Sequence, residues 1–328
     1  MFLAELAKGL KEKGAKVILY ANGASTVPVE TRWIYQNEDW PVSGETEVTL
    51  KLLTHSAWAV KDAAAEVDVI HVNSAPGLSF SHFVSSPFVY TVHHPLESAF
   101  TAFYKALPEV RYVTISDFQR RQLPLPHVRT IHHGVDLSVG SVQQKKRSHL
   151  AFLGRIAPPK GTHLAIEIAR QAGIPLKIAG EIQPLYKKYW EEKIEPHVDG
   201  KFIEYVGEVG QEGKRELLGN AIALLFPIQW NEPFGLVLIE SMAYGTPILA
   251  MPGGSVAEIV KEGVSGHIRN SASELAELAK NLKFDPLQIR AYAEENFSTD
   301  RMVRDYFQLY SEIISEDQSR AEPERVVA

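Results

Sequence analysis

"HLAFLGRIAPPKGTHLAIEIARQAGIPLKIAG", residues 149–180, reads as strand, loop, helix and strand in that order. The apolar run ends at Gly154, a stiff double-proline loop carries Arg155 and Lys160, and an amphipathic helix begins near Thr162. A second apolar run, "PLKIAG" at 175–180, follows. Two apolar strands joined through a helix imply parallel pairing with helices over the faces of the sheet. The same rhythm continues toward the carboxyl end with "FIEYVG" at 202–207, "AIALLFP" at 221–227 and "PILAMPGG" at 247–254. Toward the amino end it appears as "KVILYA" at 16–21, "DVIHV" at 68–72, "FVYTV" at 88–92, "RYVTI" at 111–115 and "VRTIHH" at 128–133. Between the two series, the polar, strand-poor stretch at 134–148 reads as a linker. The expected architecture is α/β, with two doubly wound, Rossmann-like domains and a ligand cleft between them at the carboxyl ends of the strands. The expected bounds are 1–137 and 149–297 for the domains and 138–148 for the linker. A last helix over 298–316 and a frayed tail over 317–328 complete the chain.

Composition narrows the classes of function. The 328 residues are 45% hydrophobic, enough for two cores of ordinary size. A net charge of −6 provides no overall basic field for nucleic acid or anionic lipid. The absence of cysteine excludes disulfides, thiolate metal sites and a cysteine nucleophile. No apolar run approaches membrane-spanning length, and "MFLAELAKGLKEKGAKVILY" reads as an amphipathic helix and a strand rather than a cleavable signal. A cytoplasmic protein is expected, with peripheral membrane association left open. One anomaly stands at the amino end. A doubly wound domain opens with a strand and a Gly-rich turn, whereas this chain opens with a helix carrying Phe2, Leu3, Leu6 and Leu10 on one face.

Three stretches carry candidate chemistry. In the first, Arg155 and Lys160 stand between a strand end and a helix start, a setting that favours phosphate or diphosphate. The order Lys160-Gly161-Thr162 after two prolines is not that of a P-loop, and a solvated loop with two surface cations accounts for it equally. In the second, "NEPFGLVLIESMAYG" at 231–245, a loop with Glu232 and Pro233 turns through Phe234-Gly235 into a helix that carries Glu240 and closes at Gly245. Gly235 allows close backbone approach at the helix start. Glu240, nearly two turns beyond Glu232, sits about 80° around the helix, so the two carboxylates suit hydroxyl groups on different sides of an anion. The competing account is a helix with one acid near its favourable end and another on its surface. In the third, "YTVHHPL" at 90–96, adjacent strand residues point to opposite faces, so only one of His93 and His94 enters a cleft from regular strand geometry. The pairs His93–His94 and His132–His133 make a poor metal site, since neighbouring histidines diverge and no carboxylate stands at helical ligand spacing from them.

"EPFGLVLIE" at 232–240 resembles the Glu-x7-Glu motif of retaining GT-B glycosyltransferases of family 4, also called group 1. "GTPILAMPGGSVAEIVKEGVSGHI" at 245–268 is similar to the segment that follows it there. "LGRIAPPKG", "TISDFQRRQ" at 114–122 and "IHHGVDL" at 131–137 look like family landmarks in the family's order. The resemblance spans essentially the whole chain and is strongest over 149–268. It implies a GT-B fold, in which the last helix, 298–316, crosses back to the first domain, and retaining transfer of a hexose from a nucleotide-diphosphate sugar to a hydroxyl acceptor, with no divalent metal and no cofactor.

By the matching motifs, the resemblance implies that Arg155 and Lys160, beside Gly154, neutralise the diphosphate. The backbone of Pro233, Phe234, Gly235 and Leu236 would contact phosphates or sugar. Glu232 would accept from the donor sugar and Glu240 from the ribose. The backbone near Val209 would hold the base, with Lys214 close by, and His93 in Thr91-Val92-His93 would stand beside the donor sugar. UDP-glucose is the first donor expected, ahead of UDP-N-acetylglucosamine and GDP-mannose. The acceptor (a sugar, a lipid-linked molecule or a small molecule) and the oligomeric state are not legible. The chain departs from the family in lacking the opening strand and Gly-rich loop. That departure keeps open a protein that binds nucleotide sugar without transfer. A phosphorylase or epimerase of related fold is the other alternative.

Overall fold

A computed structural model describes residues 2–39, 44–140, 142 and 147–321. The chain divides into two compact units, residues 1–134 together with 299–328, and residues 135–298. The boundaries therefore fall at 134/135 and 298/299. Of the expected linker, residues 141 and 143–146 lie outside the described residues.

The second unit holds one parallel sheet built from β7 (His149–Leu153), β8 (Leu176–Ala179), β9 (Ile203–Gly207), β10 (Ala221–Phe226), β11 (Ile248–Ala250) and β12 (Gly266–Ile268). Their spatial order is β12-β11-β10-β7-β8-β9, which is the doubly wound order with its reversal between β7 and β10. The apolar runs of β7, β8, β10 and β11 are buried along most of their length, because helices cover both faces, whereas the edge strand β9 buries only Ile203. Leu150, Phe152, Leu176, Ile178, Ala223 and Leu225 form one core with Ile166, Ala169, Leu275 and Ala279 from the covering helices. The short edge strand β12 carries only three residues and was not foreseen from the pattern.

The first unit is built on β1 (Ile18–Tyr20), β2 (Glu30–Arg32), β3 (Ile70–Val72), β4 (Phe88–Val92), β5 (Arg111–Thr114) and β6 (Val128–Thr130). These strands do not form the single sheet expected of a doubly wound domain. Among the described residues β1 pairs only with β2, and β3-β4-β5-β6 form a separate parallel sheet in that order. No strand among the described residues stands between β1 and β3 to join the two pieces. Alternation along β4 places Phe88, Tyr90 and Val92 in one core with Tyr104 and Tyr112, and Val89 in another with Val113 and Ile131. That second core is roofed by two helices, Phe2–Glu12 through Leu6 and Leu10, and Thr299–Ala321 through Met302, Val303, Tyr306, Leu309 and Ile313. Gly9 lies where they meet, since a Cβ there would stand 2.5 Å from a Val303 methyl.

The last helix thus belongs to the first unit, although the second unit separates it in sequence from the rest of that unit. It runs to Ala321, so residues 317–321 continue it rather than fraying as expected. Glu312 and Glu316, on its second half, each lie 2.5 Å from an arginine of the sheet, Arg129 and Arg111, and the second of these pairs lies beyond Ile313, the last buried residue described on the helix. Residues 322–328 of the expected tail lie outside the described residues.

Candidate functional site

In the second unit the candidate residues collect at the carboxyl edge of the sheet, around the reversal between β7 and β10. The loop after β7 carries Gly154, Arg155 and the single 3-10 turn Pro158–Lys160. Gly161 then adopts φ +73°, and a Cβ there would fall 1.9 Å from the carbonyl oxygen of Pro227, at the end of β10. Only glycine fits this approach of the two loops. It holds Lys160 against the loop that follows β10, where Lys160 Nζ stands 2.6 Å from Glu232 Oε2. The same oxygen accepts from the Trp230 indole N–H at 3.0 Å, and the Lys160 ammonium lies 4.7 Å from the centre of the Trp230 ring. Ion pair, hydrogen bond and cation–π contact close a three-residue cluster across the reversal. Both charged side chains are largely withdrawn from water, at 17% exposure for Lys160 and 10% for Glu232.

A second loop fixes the first. Gly253 and Gly254, after β11, press on the segment 230–232: added Cβ atoms would stand 2.4 Å from the Trp230 carbonyl and 2.1 Å from that of Glu232. Ser255 donates its N–H and its hydroxyl to the Glu232 carbonyl at 2.9 and 3.1 Å, and its hydroxyl also meets the Phe234 carbonyl at 2.9 Å. Phe234 is buried against Phe297, which anchors the turn below. Gly235 has φ +87° and opens the helix Leu236–Ala243 without any side-chain cap, leaving the amides of its first turn free of such a partner.

The helix at Thr162, expected to offer its amides as well, is differently arranged. The His163 N–H is taken by the Tyr189 hydroxyl at 3.2 Å. An anion at this end would meet Lys160 and Arg155 rather than the full set of helix amides.

Other candidates separate from this cluster. Arg155 is exposed and has no ion pair among the described residues. Gly154 has open space where a Cβ would be. Glu240 faces away from Glu232's lysine and pairs with Lys214 Nζ at 2.7 Å, on the helix Gln211–Gly219. Val209, half-buried on the loop before that helix, touches the position of Gly213, where a Cβ would stand 2.9 Å from its own. The two acids thus stand in two separate ion pairs, Lys160–Glu232 and Lys214–Glu240. Sequence reading missed Trp230, Gly180 and Ser255. The Gly180 signal was present in "KIAG": at φ +147°, its Cβ would lie 1.8 Å from the Gly154 carbonyl. Nothing in "IQWNEP" marked Trp230 as the partner of both charges.

In the first unit, His93 follows β4. Its Nε2 lies 3.2 Å from Asn73 Oδ1 and its Nδ1 3.4 Å from His133 Nε2, with the two rings stacked 5.2 Å apart. Phe2 meets both rings edge-on. Part of His93 reaches solvent, yet the neighbours crowding its ring disfavour the charged form, and with the charge of His94 they draw it down to about 4. His94 diverges as expected, toward the Tyr104 hydroxyl at 2.8 Å. Behind His93, burial pushes His133 and His71 to about 3. His71 joins a buried chain of polar groups: its Nδ1 is 2.6 Å from the Tyr310 hydroxyl, its Nε2 2.9 Å from Thr91 Oγ1, and Thr91 is 2.8 Å from the Tyr306 hydroxyl.

Comparison with known proteins bears on both units. Residues 138–297 match the model of the glycosyl transferases group 1, and residues 1–139 that of glycosyltransferase family 4. The chain is similar to a phosphatidyl-myo-inositol mannosyltransferase of Mycobacterium tuberculosis (strain CDC 1551 / Oshkosh), 25% identical over 232 residues, 63% of this chain and 60% of that one. It is also similar to a D-inositol 3-phosphate glycosyltransferase of Mycobacterium marinum, 27% identical over 176 residues, 48% of this chain and 38% of that one. The matches thus span less than two thirds of these relatives' length. Among solved structures, AviGT4, a glycosyltransferase involved in avilamycin A biosynthesis, superposes with TM-score 0.72 at 24% identity, covering 96% of this chain and 89% of its own. An Anabaena protein, Alr3699/HepE, solved in complex with UDP, gives 0.75 at 19% identity, covering 94% and 95%. A sucrose-phosphate synthase of Thermosynechococcus elongatus gives 0.76 at 19% identity, covering 96% and 93%. These superpositions show a GT-B fold.

Proposed function

We propose, from the premise that this chain belongs to the group 1, family 4 glycosyltransferases, that it moves a hexose from a nucleotide-diphosphate sugar to a hydroxyl acceptor with retention at the anomeric carbon. The observation that carries this reading is the Lys160–Glu232–Trp230 cluster across the β7/β10 reversal, beside a helix start that no side chain caps. A cation serves a phosphate, an acid held by that cation serves a sugar hydroxyl, and uncapped amides serve further anionic oxygens.

The assigned roles are those that the resemblance to the family implies for the matching positions. Lys160 and Arg155 neutralise the diphosphate as it leaves, aided by the amides after Gly235. Glu232 accepts from the sugar, Glu240 from the ribose, and the backbone near Val209 meets the base, with Lys214 beside it. His93, neutral at physiological pH, contributes from the first unit a polar ring for the donor sugar. In the transfer, the bond from the anomeric carbon to the diphosphate oxygen breaks and a bond to the acceptor oxygen forms on the same face. The acceptor's proton passes to the departing diphosphate, so the products are glycosylated acceptor and nucleoside diphosphate. Charge neutralisation is assigned to side chains and amides rather than to a divalent metal, and activity is expected to survive excess chelator.

UDP-glucose is the leading donor. Its support is the likeness to the Anabaena protein, which was also solved in complex with UDP-glucose. Thermal unfolding against a panel of nucleotide sugars tests the choice, since a ligand of the native state raises the midpoint with affinity and concentration. The largest rise is expected with UDP-glucose. Proton NMR of the product then reads the anomeric configuration. A β-linked product from an α-linked donor, or nucleotide-sugar binding with neither transfer nor hydrolysis, would overturn the reading.

A further inference from the structure

Glu232 holds two donors on one oxygen. Lys160 Nζ stands 2.6 Å from Oε2 and the Trp230 indole nitrogen 3.0 Å from the same atom, while Oε1 accepts from no group among the described residues. The two donors differ in what else they can do. The Lys160 ammonium has three N–H groups on a flexible stem and is drawn to any anion within reach. The indole has one N–H and no other polar atom, and the negative face of its ring repels an anion. Trp230 is therefore committed to the carboxylate, whereas Lys160 can exchange it for a stronger anion.

The backbone around both donors is fixed, so such an exchange is left to the side chains. The Gln229 N–H donates to the Pro159 carbonyl at 2.8 Å and ties the segment before Trp230 to the turn that carries Lys160. A Cβ at Gly253 would stand 2.4 Å from the Trp230 carbonyl, and the Ser255 hydroxyl donates to the Glu232 carbonyl at 3.1 Å. Trp230 and Glu232 thus keep their places on the loop when the lysine side chain swings.

The glycosyl-transfer reading asks Lys160 for a second partner. A diphosphate carries more charge than one carboxylate, and the ammonium turns to it on arrival. Glu232 then keeps its charge at 10% side-chain exposure, beside an incoming anion and with little water around it. A carboxylate so placed rotates toward solvent unless another donor holds it.

We propose that Trp230 is a positioning residue for the donor sugar: its indole N–H retains Glu232 Oε2 when Lys160 leaves for the diphosphate, and Oε1 stays available to a sugar hydroxyl. The inference rests on the glycosyl-transfer reading for its ligand. The ring of Trp230 serves the step before, since its face keeps the ammonium 4.7 Å from its centre until the diphosphate arrives.

Trp230→Phe keeps a ring against Lys160 and removes the N–H. Calorimetric titration with UDP-glucose and with UDP reads the effect, because only the first presents a sugar to Glu232. The variant is expected to bind UDP-glucose about tenfold more weakly than the parent chain, and UDP within about twofold of it. In a Glu232→Ala background the same substitution is expected to change UDP-glucose affinity by less than about twofold, as for two residues that act through one contact. An equal loss for both ligands marks a disturbed loop rather than a released carboxylate and overturns the proposal, as does an unchanged affinity for UDP-glucose. A parent chain that does not bind UDP-glucose overturns the donor reading instead. The hold on Glu232 is then decided without nucleotide, and so it is if Trp230→Phe does not fold. By NMR, the Trp230 indole proton is expected to exchange with water about tenfold more slowly in Lys160→Met than in Lys160→Met/Glu232→Ala. Equal exchange in those two variants overturns the proposal.

Discussion

Lys160 and Glu232 neutralise each other in the ligand-free unit, so a phosphate arriving at Lys160 competes with a carboxylate already in place at 2.6 Å. Removing either partner leaves the other short of water and poorly paired, which costs stability as well as chemistry. Lys160→Ala is expected to lower kcat by two or more orders of magnitude while the unit stays folded by circular dichroism, because the lost charge acts on the leaving group. Arg155→Ala, at an exposed site, should lower kcat with no change in thermal midpoint. Near-normal turnover in either variant would remove that residue from the reaction. Glu240→Ala should instead raise KM for the nucleotide sugar about tenfold, since the loss of a hydrogen bond to ribose is a binding effect. Both acids were legible in the sequence from their spacing around a helix start. Their lysine partners as pairs were not, because each ion pair joins residues 72 and 26 positions apart, a separation that only the folded sheet closes.

The histidine cluster and the two helices above it act as one element of the first unit. His71, His93 and His133 are all drawn below the ordinary histidine value of 6.5, to about 3, 4 and 3. The unfolded chain therefore binds protons at these sites that the folded chain refuses. Stability is fully present above about pH 6.5 and is lost as pH falls toward 4. Their surroundings are Phe2, Asn73 and Thr91, the tyrosines Tyr306 and Tyr310, and the cation Arg301. A urea midpoint falling steadily from pH 7 to pH 4 for the first unit, with little change from pH 7 to pH 8.5, is the expected result. Tyr310→Phe should cost about 1–3 kcal/mol in the same measurement, because it leaves the buried His71 Nδ1 without its partner. Element by element, the sequence revealed strands where burial made them apolar. It did not reveal β2, whose Glu30-Thr31-Arg32 has no apolar run and is held by Arg32 reaching Glu30, Asp62 and Glu66.

At the scale of the whole molecule, the repeating strand–helix rhythm was enough to predict two α/β units. That rhythm does not by itself show that the first is built from two separated stretches of chain, since the pattern of Met302, Val303, Tyr306, Leu309 and Ile313 reads as an amphipathic helix without saying which sheet it covers; the return of this helix to the first unit was legible only through the resemblance to the GT-B fold. That arrangement has a consequence for how the protein is made. A ribosome releases residues 1–134 before residues 135–298, but one of the two helices of their roof, Thr299–Ala321, is made only after both. At roughly 5–20 residues per second, the first unit waits about 10–40 s with Val89, Val113 and Ile131 covered by the helix Phe2–Glu12 alone, while the second unit can close before it. Nascent chains stalled near residue 300 should therefore resist protease over 149–297 and be cut within 1–134, and that region should become resistant only once the last helix has emerged. The half of the protein that is translated first would be the half that folds last, and during that interval it is the natural client for a chaperone.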